Sequence, residues 1–564
     1  MLNPFIFPRR ITTREVSRMN PVKEKDDLES VLKNLKKLEE LSPFEFKELL
    51  IRLAKRKSER MMLNAGRGNP NFLALVPRYA YLQLGKFALS EAERHFGYMG
   101  DLIGGHSDRE GIEARFEIFV RNHWDERGTA FLNSAVSYVR DYLGFSAGDF
   151  IHEMVQGYLG CDYPSPPRIL PMTEKIVARY LMKEMGAGYD LGYSLVDETQ
   201  LFAVEGGTGA MAYLFESLRA NRLLNPGDKI AIAVPIFSPY LEIPKLDTYR
   251  LEIIEVRAKE ELGYQISDEE LEKLRNPEIK AFFLVNPGNP TSVKLEEGVL
   301  EKLREIVEDR PDLIIITDDV YATFADDFKS VYTVLPHNTI LVYSFSKYFG
   351  ATGWRLGVIA LHEDNVVDRL IRELPEEIQE ILERRYAPIT PNVRELKFID
   401  RLVADSRNVA LRHTAGLSTP QQVQMVLFAL YALMDEQERY KNAVKHVLRR
   451  RYRALYRGLG LEPEENPNLT YYYTLLDTEK LAERLYGKEF AEWFIKALPI
   501  EEFVVRLALE AGVVLLPGKG FEVLHPSARV SLANLKEIDY IKIGQTVRRL
   551  IDEYYEKFKE SRGE

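Results

Sequence analysis

The chain has 564 residues, 45% of them hydrophobic and 29% charged, and a formal net charge of −10 at pH 7. This length exceeds what one hydrophobic core organises, so two or three domains are expected. Acidic and basic residues are interspersed, which argues against nucleic acid as the main partner, and no apolar stretch is long enough to span a bilayer. Cys161 is the only cysteine, which favours a reducing, cytoplasmic location, and the nine histidines show no close ligand spacing, so no metal site is predicted.

The N-terminal part is predicted to be helical. Residues 1–62 form an N-terminal arm and helices, and Ser42-Pro43-Phe44-Glu45 has the capping pattern of a fresh helix start. Residues 63–165 begin with the loop NAGRGNPNFL, which carries Arg67 and Gly68. The stretch 78–160 is then mostly helical, with gaps at 97–105 and 144–148. The Pro-rich segment at 163–167 predicts a domain boundary.

The centre of the chain has the pattern of an α/β domain, predicted over residues 166–362. Short apolar runs alternate there with helical segments, one of which has its start marked by the capping pattern of Ser267 with Glu270, and another of which covers 295–309. Continuous apolar strands between helices predict a mostly parallel, seven-stranded sheet covered on both faces. The runs are LFAV (201–204), IAIAV (230–234), LEIIEV (251–256), AFFLV (281–285), LIIIT (313–317), ILVYS (340–344) and GVIAL (357–361).

The remainder of the chain is predicted to contain three segments. Residues 363–415 are charged and helical, and they interrupt the α/β alternation as an insertion. Residues 416–445 provide a long apolar helix of the large domain and a linker. Residues 446–564 form a smaller α+β domain.

The run at 341–343 ends in Ser344, Ser346 and Lys347, and Arg355 follows after a Gly-rich stretch. The pKa of a lysine amine falls readily on burial, which makes it a nucleophile that can form a Schiff base. The two hydroxyls and the guanidinium suit a phosphate held beside that amine. An aldehyde that also carries a phosphate describes pyridoxal 5′-phosphate (PLP). The alternative interpretation is a surface lysine after a strand.

Other polar residues at strand ends fit the same ligand. The turn Glu205–Gly209 opens a helix, so its backbone N–H groups can hold a phosphate. Asp318 could keep a pyridine nitrogen protonated, which makes the ring an electron sink. Tyr321, Asn289 and Phe237 could contact the ring oxygen or the ring face. Taken singly, Asp318 also fits a helix N-cap, Asn289 a plain turn and Phe237 core packing.

The motifs EGGTGAM, VPIFSPY, NPGNPTS, TDDVYATF, SFSKYFGATGWRLG, VVLLPGKGF and ARVSLAN together resemble the fold type I PLP enzymes of the aspartate aminotransferase class, over roughly residues 163–564. The resemblance implies that Lys347 is the Schiff-base lysine and that Asp318 pairs with the pyridinium. It implies cofactor contacts for Gly207, Thr208, Phe237, Asn289, Tyr321, Ser344, Ser346 and Arg355. It also implies that Arg529 binds the substrate α-carboxylate and that Tyr163 contacts the phosphate of a neighbouring subunit.

The two helical additions and the segments GRGNPNF, HFGYMGDLIGG and GYLGCDYPSPPR are similar to the L-aspartate 4-decarboxylase family. This implies a lyase that converts L-aspartate to L-alanine and CO2, with side aminotransferase activity on 2-oxo acids. It further implies a homodimer with shared active sites, assembled into a larger ring such as a dodecamer. Arg67, beside Gly68, is the candidate ligand for the substrate's distal carboxylate, and Asn289 also faces the substrate.

Two other functions are compatible with the motifs. The chain could be an aspartate or aromatic aminotransferase without decarboxylation, with the additions serving assembly. It could also be a noncatalytic effector domain of a regulator, although the N-terminal residues show no helix-turn-helix pattern.

Overall fold

The computed structural model describes residues 43–56, 62–187 and 189–563. The predicted N-terminal arm and the capping side chain of Ser42 lie outside the described residues. The helix expected after Ser42 is present and begins at Pro43.

The part of the chain before the large sheet is mainly helical. The first predicted gap lies between α-helices and contains a 3-10 segment, Gly97–Leu102, whereas the second was drawn too long, because a helix begins at Ala147. A break that was not predicted ends at Gly128 (φ 93°), where a Cβ would lie 2.4 Å from the backbone of Tyr79. The elements are α1 (Pro43–Arg56), β1 (Leu63–Asn64), α2 (Leu75–His95), α3 (Ile112–Asn122), α4 (Thr129–Asp141), α5 (Ala147–Leu159), α6 (Pro171–Glu184) and α7 (Tyr189–Glu198).

All seven predicted apolar runs are strands of one sheet. An eighth strand, β5, has only two residues and pairs with the outer edge of the sheet, too short to leave a periodic signal. The order is β2-β9-β8-β7-β6-β3-β4-β5, in which β8, β7, β6, β3 and β4 are mutually parallel and β9 runs antiparallel to both neighbours. The strands are β2 (Thr199–Val204), β3 (Lys229–Val234), β4 (Glu252–Lys259), β5 (Gln265–Ile266), β6 (Ile279–Val285), β7 (Ile314–Asp318), β8 (Thr339–Ser344) and β9 (Gly357–His362).

Helices cover both faces of this sheet, as continuous apolar strands require. Along β7, Ile314 and Ile316 face one hydrophobic cluster, whereas Ile315 faces another. The helices are α8 (Gly206–Ala220), α9 (Pro239–Glu242), α10 (Asp268–Glu272), α11 (Glu297–Asp309), α12 (Val331–Val334), α13 (Val366–Arg372), α14 (Glu376–Tyr386) and α15 (Phe398–Asp405). The last three lie in the predicted insertion, and their apolar side chains share a core with α8.

The predicted helix start at Ser267 is correct, but its expected cap is not formed. The Ser267 hydroxyl is buried without a hydrogen-bond partner. The Glu270 carboxylate instead accepts from the backbone N–H of Arg257 at 2.7 Å, which ties the helix to β4. A tertiary contact has replaced the local cap.

The C-terminal part forms a second, smaller α/β layer. Strands β10, β13 and β12 make an antiparallel sheet, and β11 pairs in parallel with β1 from the N-terminal loop. Helix α17 runs continuously through the boundary predicted at 445/446. The elements are α16 (Thr419–Met434), α17 (Arg439–Leu459), β10 (Tyr473–Asp477), α18 (Thr478–Tyr486), α19 (Lys488–Ala497), α20 (Ile500–Ala511), β11 (Val513–Val514), β12 (Leu516–Pro517), β13 (Ser527–Ser531) and α21 (Glu537–Arg562).

Candidate active site

A cavity of about 490 Å³ lies where the carboxyl ends of the central strands meet the smaller layer. It is lined by every residue predicted for the site except Tyr163. The strand-end loops bring residues from β2, β3, β6, β7 and β8, and Arg529 comes from β13. This is the position at which ligands bind open α/β sheets.

Lys347 projects into this cavity rather than onto the outer surface. Its Nζ donates to the backbone carbonyl of Gly68 at 3.1 Å, and the hydroxyl of Tyr472 donates to the same carbonyl at 2.7 Å. The N-terminal loop therefore crosses directly beside the amine. A Cβ on Gly68 would lie 2.3 Å from the hydroxyl of Tyr473, so this close approach requires glycine.

Asp318 supplies a buried carboxylate at the end of β7, with a side chain only 8% exposed. Burial raises the pKa of Asp318, while hydrogen bonds from Tyr240 and the Val320 N–H, and the charge of Lys347, oppose that shift. A buried carboxylate is stable when a cation or strong donor faces it. The protonated nitrogen of a pyridine ring is such a partner, so Asp318 fits the predicted cofactor.

Tyr240 was not identified from the sequence, yet its hydroxyl donates to Asp318. Removing this donor destabilises the ionised carboxylate, so Tyr240→Phe is expected to raise the pKa of Asp318 further. We therefore expect the acidic limb of the kcat/KM profile to move to higher pH and kcat to fall roughly tenfold, the effect of losing one charge-assisted hydrogen bond. Tyr249→Phe is the matched control, because Tyr249 lies in the same connection between β3 and β4 but packs on Phe215 outside the cavity. An unshifted profile in Tyr240→Phe would show that this bond does not tune Asp318.

The N-terminus of α8 forms an anion cradle with Arg355. Gly206 has φ 76°, and a Cβ there would lie 2.6 Å from Nη2 of Arg355. Arg355 donates to the backbone carbonyls of Glu205 and Thr352, both at 3.0 Å. The guanidinium of Arg355 therefore lies beside the N-terminus of α8, an arrangement that suits a phosphate.

Two hydroxyls complete the cradle. The hydroxyl of Ser344 donates to that of Ser346 at 2.9 Å, and both side chains are buried and line the cavity. Gly207 and Thr208 line the cavity from the first turn of α8. The predicted phosphate contacts therefore converge.

Arg529 is 3% exposed and, among the described residues, has no carboxylate partner. Its Nη1 donates to Asn289 at 3.0 Å and its Nη2 to the Gly66 carbonyl at 2.8 Å, while Nε is buried and unpartnered. The guanidinium lies over the rings of Tyr473 (4.4 Å) and Phe521 (4.7 Å). A buried guanidinium with an unused donor is suited to a ligand carboxylate.

The ring-contact residues also meet at this cavity. The hydroxyls of Tyr321 and Tyr473 lie 2.9 Å apart, and burial holds the pKa of Tyr321 well above its ordinary value. Tyr321 therefore stays protonated and can donate a hydrogen bond. Phe237 lines the same wall, edge-to-face with Tyr240 at 6.1 Å.

Two predicted residues occupy less enclosed positions. Arg67 is an exposed residue of the cavity lining, which also includes Lys47 of α1, a residue that the sequence did not single out. Tyr163 is 67% exposed, lies outside the cavity and packs edge-on against the ring of His413. Its predicted contact with a neighbouring subunit stays a prediction.

The covered sheet, the strand-end lysine, the buried aspartate and the anion cradle define a PLP-dependent enzyme of fold type I. Residues 166–542 match the family described as aminotransferase class I and II. The chain belongs to this family. The predicted fold class and the predicted cofactor, PLP, are thereby confirmed.

Individual relatives agree with this assignment. The chain is 55% identical over 528 residues to a bifunctional aspartate aminotransferase and L-aspartate beta-decarboxylase from a Pseudomonas species, covering 93% of this chain and 99% of that one. It is similar in fold to a Thermus thermophilus aspartate aminotransferase double mutant (TM-score 0.56, 19% identity, 90% and 96% coverage). An aromatic aminotransferase from Pyrococcus horikoshii gives a TM-score of 0.53 at 20% identity, with 89% and 99% coverage.

Proposed function

We propose that the protein removes the C4 carboxylate of L-aspartate to give L-alanine and CO2, with transamination between L-aspartate and 2-oxo acids as a side activity. The observation that carries this is the 55% identity to the bifunctional relative over almost the whole chain. The part of this chain outside the alignment is shorter than either of the two helical additions (78–160 and 363–415). Both additions are therefore included in the match, at least in part. The same breadth of similarity to an enzyme disfavours a noncatalytic effector domain.

Each part of the cavity has a task in this reaction. When bound, PLP supplies an electron sink next to the substrate's α-carbon. Lys347 would hold the cofactor aldehyde, and its free amine would take and return the proton at Cα. Asp318 holds the proton on the pyridine nitrogen. Gly207, Thr208, Ser344 and Arg355 bind the phosphate.

Substrate binding divides between two arginines of different character. Arg529 is buried and rigidly held, so we assign it the α-carboxylate, with Asn289 beside it. Arg67 is exposed and is our candidate for the distal carboxylate. A loose grip suits that group, because it must leave as neutral CO2 and a tight ion pair would stabilise the substrate more than the transition state.

We expect L-alanine to accumulate from L-aspartate and PLP alone, because decarboxylation needs no amino acceptor. Amino-acid analysis of an incubation without any 2-oxo acid measures this, and an incubation with 2-oxoglutarate serves as the control for transamination. Aspartate loss only in the second incubation, with no alanine in the first, would favour an aspartate aminotransferase without decarboxylation.

We also propose a cytoplasmic homodimer with shared active sites, assembled further into a ring such as a dodecamer. Support comes from large apolar side chains that the single chain leaves exposed on α2 and the segment after it, including Leu82, Leu89, Tyr98 and Leu102. Exposed apolar side chains that are concentrated in one part of the chain favour a protein interface there. No helix in the described part of the chain is both long and apolar enough to cross a membrane.

A further inference from the structure

The helical insertion is fixed rigidly onto α8, the helix whose N-terminus forms the anion cradle. Asp405, at the end of α15, is buried and accepts hydrogen bonds from Ser217 of α8 (2.6 Å), Tyr386 (2.8 Å) and Arg385 (2.7 Å). Leaving the buried groups Asp405, Ser217 or Tyr386 unpaired is costly, so the network holds α15 in one place on α8.

The residue two positions after Asp405 reaches back to the start of α8. Arg407 donates from Nη1 to the hydroxyl of Tyr213 at 3.3 Å, and its Nη2 lies 3.6 Å from Oε1 of Glu205. The hydroxyl of Tyr213 in turn donates to Oε2 of Glu205 at 3.0 Å. Asn408 and Val409 follow in the left-handed backbone region, with φ of 50° and 62°. Val409 is β-branched, and such residues rarely adopt a positive φ.

Glu205 occupies an electrostatically sensitive position. It immediately precedes Gly206, and its backbone carbonyl accepts from Arg355. Its carboxylate lies beside the first turn of α8, because a Cβ on Gly209 would be 3.6 Å from Oε2. A negative side chain at a helix N-terminus competes with a phosphate for the same positive end of the helix dipole.

We propose that Arg407 is a positioning residue for the cofactor phosphate: it neutralises Glu205, whose carboxylate lies beside the first turn of α8. With Arg407 present, the side chains of Arg355, Arg407 and Glu205 sum to one positive charge; without it they sum to zero. The insertion thereby contributes to cofactor retention. This inference rests on the proposed assignment of the phosphate to the α8 cradle.

The test measures how fast cofactor is lost from the full-length chain loaded with PLP or with pyridoxal, which lacks the phosphate. We expect Arg407→Met to weaken PLP retention by roughly threefold to tenfold, as a single partly screened charge allows, and to leave pyridoxal retention unchanged. Arg412→Met is the matched control, because Arg412 is an exposed arginine of the same insertion. It is expected to behave as wild type with both compounds.

A second variant separates charge from structural damage. Arg407→Met combined with Glu205→Gln restores the positive sum, so PLP retention is expected to return towards the wild-type rate. Equal loss of PLP and pyridoxal, or no rescue by Glu205→Gln, would overturn the role of Arg407. A wild-type protein that retains PLP no better than pyridoxal would instead overturn the phosphate assignment itself.

Discussion

Replacing Lys347 with alanine is expected to remove the covalent attachment of PLP and to lower turnover of L-aspartate by at least about 10³-fold. In the proposed reaction this amine both holds the cofactor and moves the proton at Cα, and removal of a positioned proton-transfer group alone costs about 10²–10⁴-fold. Among the described residues, the one other lysine that lines the cavity is Lys47, which lies on α1 rather than at the end of a strand.

Borohydride reduction followed by mass spectrometry measures this directly, since it fixes the cofactor to the lysine that holds it. Wild type and Lys542→Ala, a surface substitution on α21, are expected to gain one pyridoxyl phosphate group each. Lys347→Ala is expected to gain none. A Lys347→Ala protein that is still labelled and still turns over aspartate would show that another lysine carries the cofactor.

Replacing Arg529 with leucine is expected to raise KM for L-aspartate by about 100-fold or more. Removing one member of a buried ion pair costs about 3–5 kcal/mol, because the partner charge is left desolvated and unpaired. The predicted partner here is the α-carboxylate, which every amino-acid ligand carries. Binding of L-alanine is therefore expected to weaken in the same proportion.

Arg67→Ala is the matched comparison, because Arg67 is the exposed arginine of the same cavity. Exposed ion pairs contribute about 0–1 kcal/mol, so KM for L-aspartate is expected to rise by about fivefold or less and L-alanine binding to stay unchanged. Arg529→Lys keeps the buried charge and controls for misfolding, checked by thermal unfolding. Unchanged KM in a folded Arg529→Leu variant, or equal effects of Arg67→Ala on both ligands, would contradict these assignments.

The sheet could be predicted because its strands are buried on both faces. Such strands are continuous apolar runs, and all seven runs between Leu201 and Leu361 are strands of one sheet. The polar residues that follow the parallel strands meet at one edge, and Arg355, which precedes the antiparallel strand β9, lies at the same edge. That is why the residues predicted for the phosphate and the ring line a single cavity.

Side chains that act through contacts distant in the sequence could not be predicted. Tyr240, on α9, contacts Asp318, and Tyr473, at the start of β10, contacts Tyr321, only because the tertiary fold brings these elements to the same cavity. Neither tyrosine has a local pattern that distinguishes it from core packing. At Ser267 the opposite happens. The local capping pattern is present in the sequence, but the Glu270 carboxylate accepts a hydrogen bond from the backbone of β4 instead of forming the cap.

The packing position of the helical insertion could not be predicted for the same reason. Its charge and helical periodicity predicted helices, but not that α15 would lie on α8. That placement depends on Asp405, whose partners Ser217 and Tyr386 belong to two other helices.

Decarboxylation by this protein is tested most directly by following the two labels of doubly labelled L-aspartate. L-Aspartate carrying ¹³C at C4 and ¹⁵N at the amine is incubated with holoenzyme in the absence of any 2-oxo acid. Loss of the C4 carboxylate with retention of the amine predicts ¹³CO2 and ¹⁵N-alanine without ¹³C, in equal amounts. Labelled CO2 accompanied by pyruvate, or ¹⁵N that leaves aspartate only when a 2-oxo acid is supplied, would contradict decarboxylation by this protein.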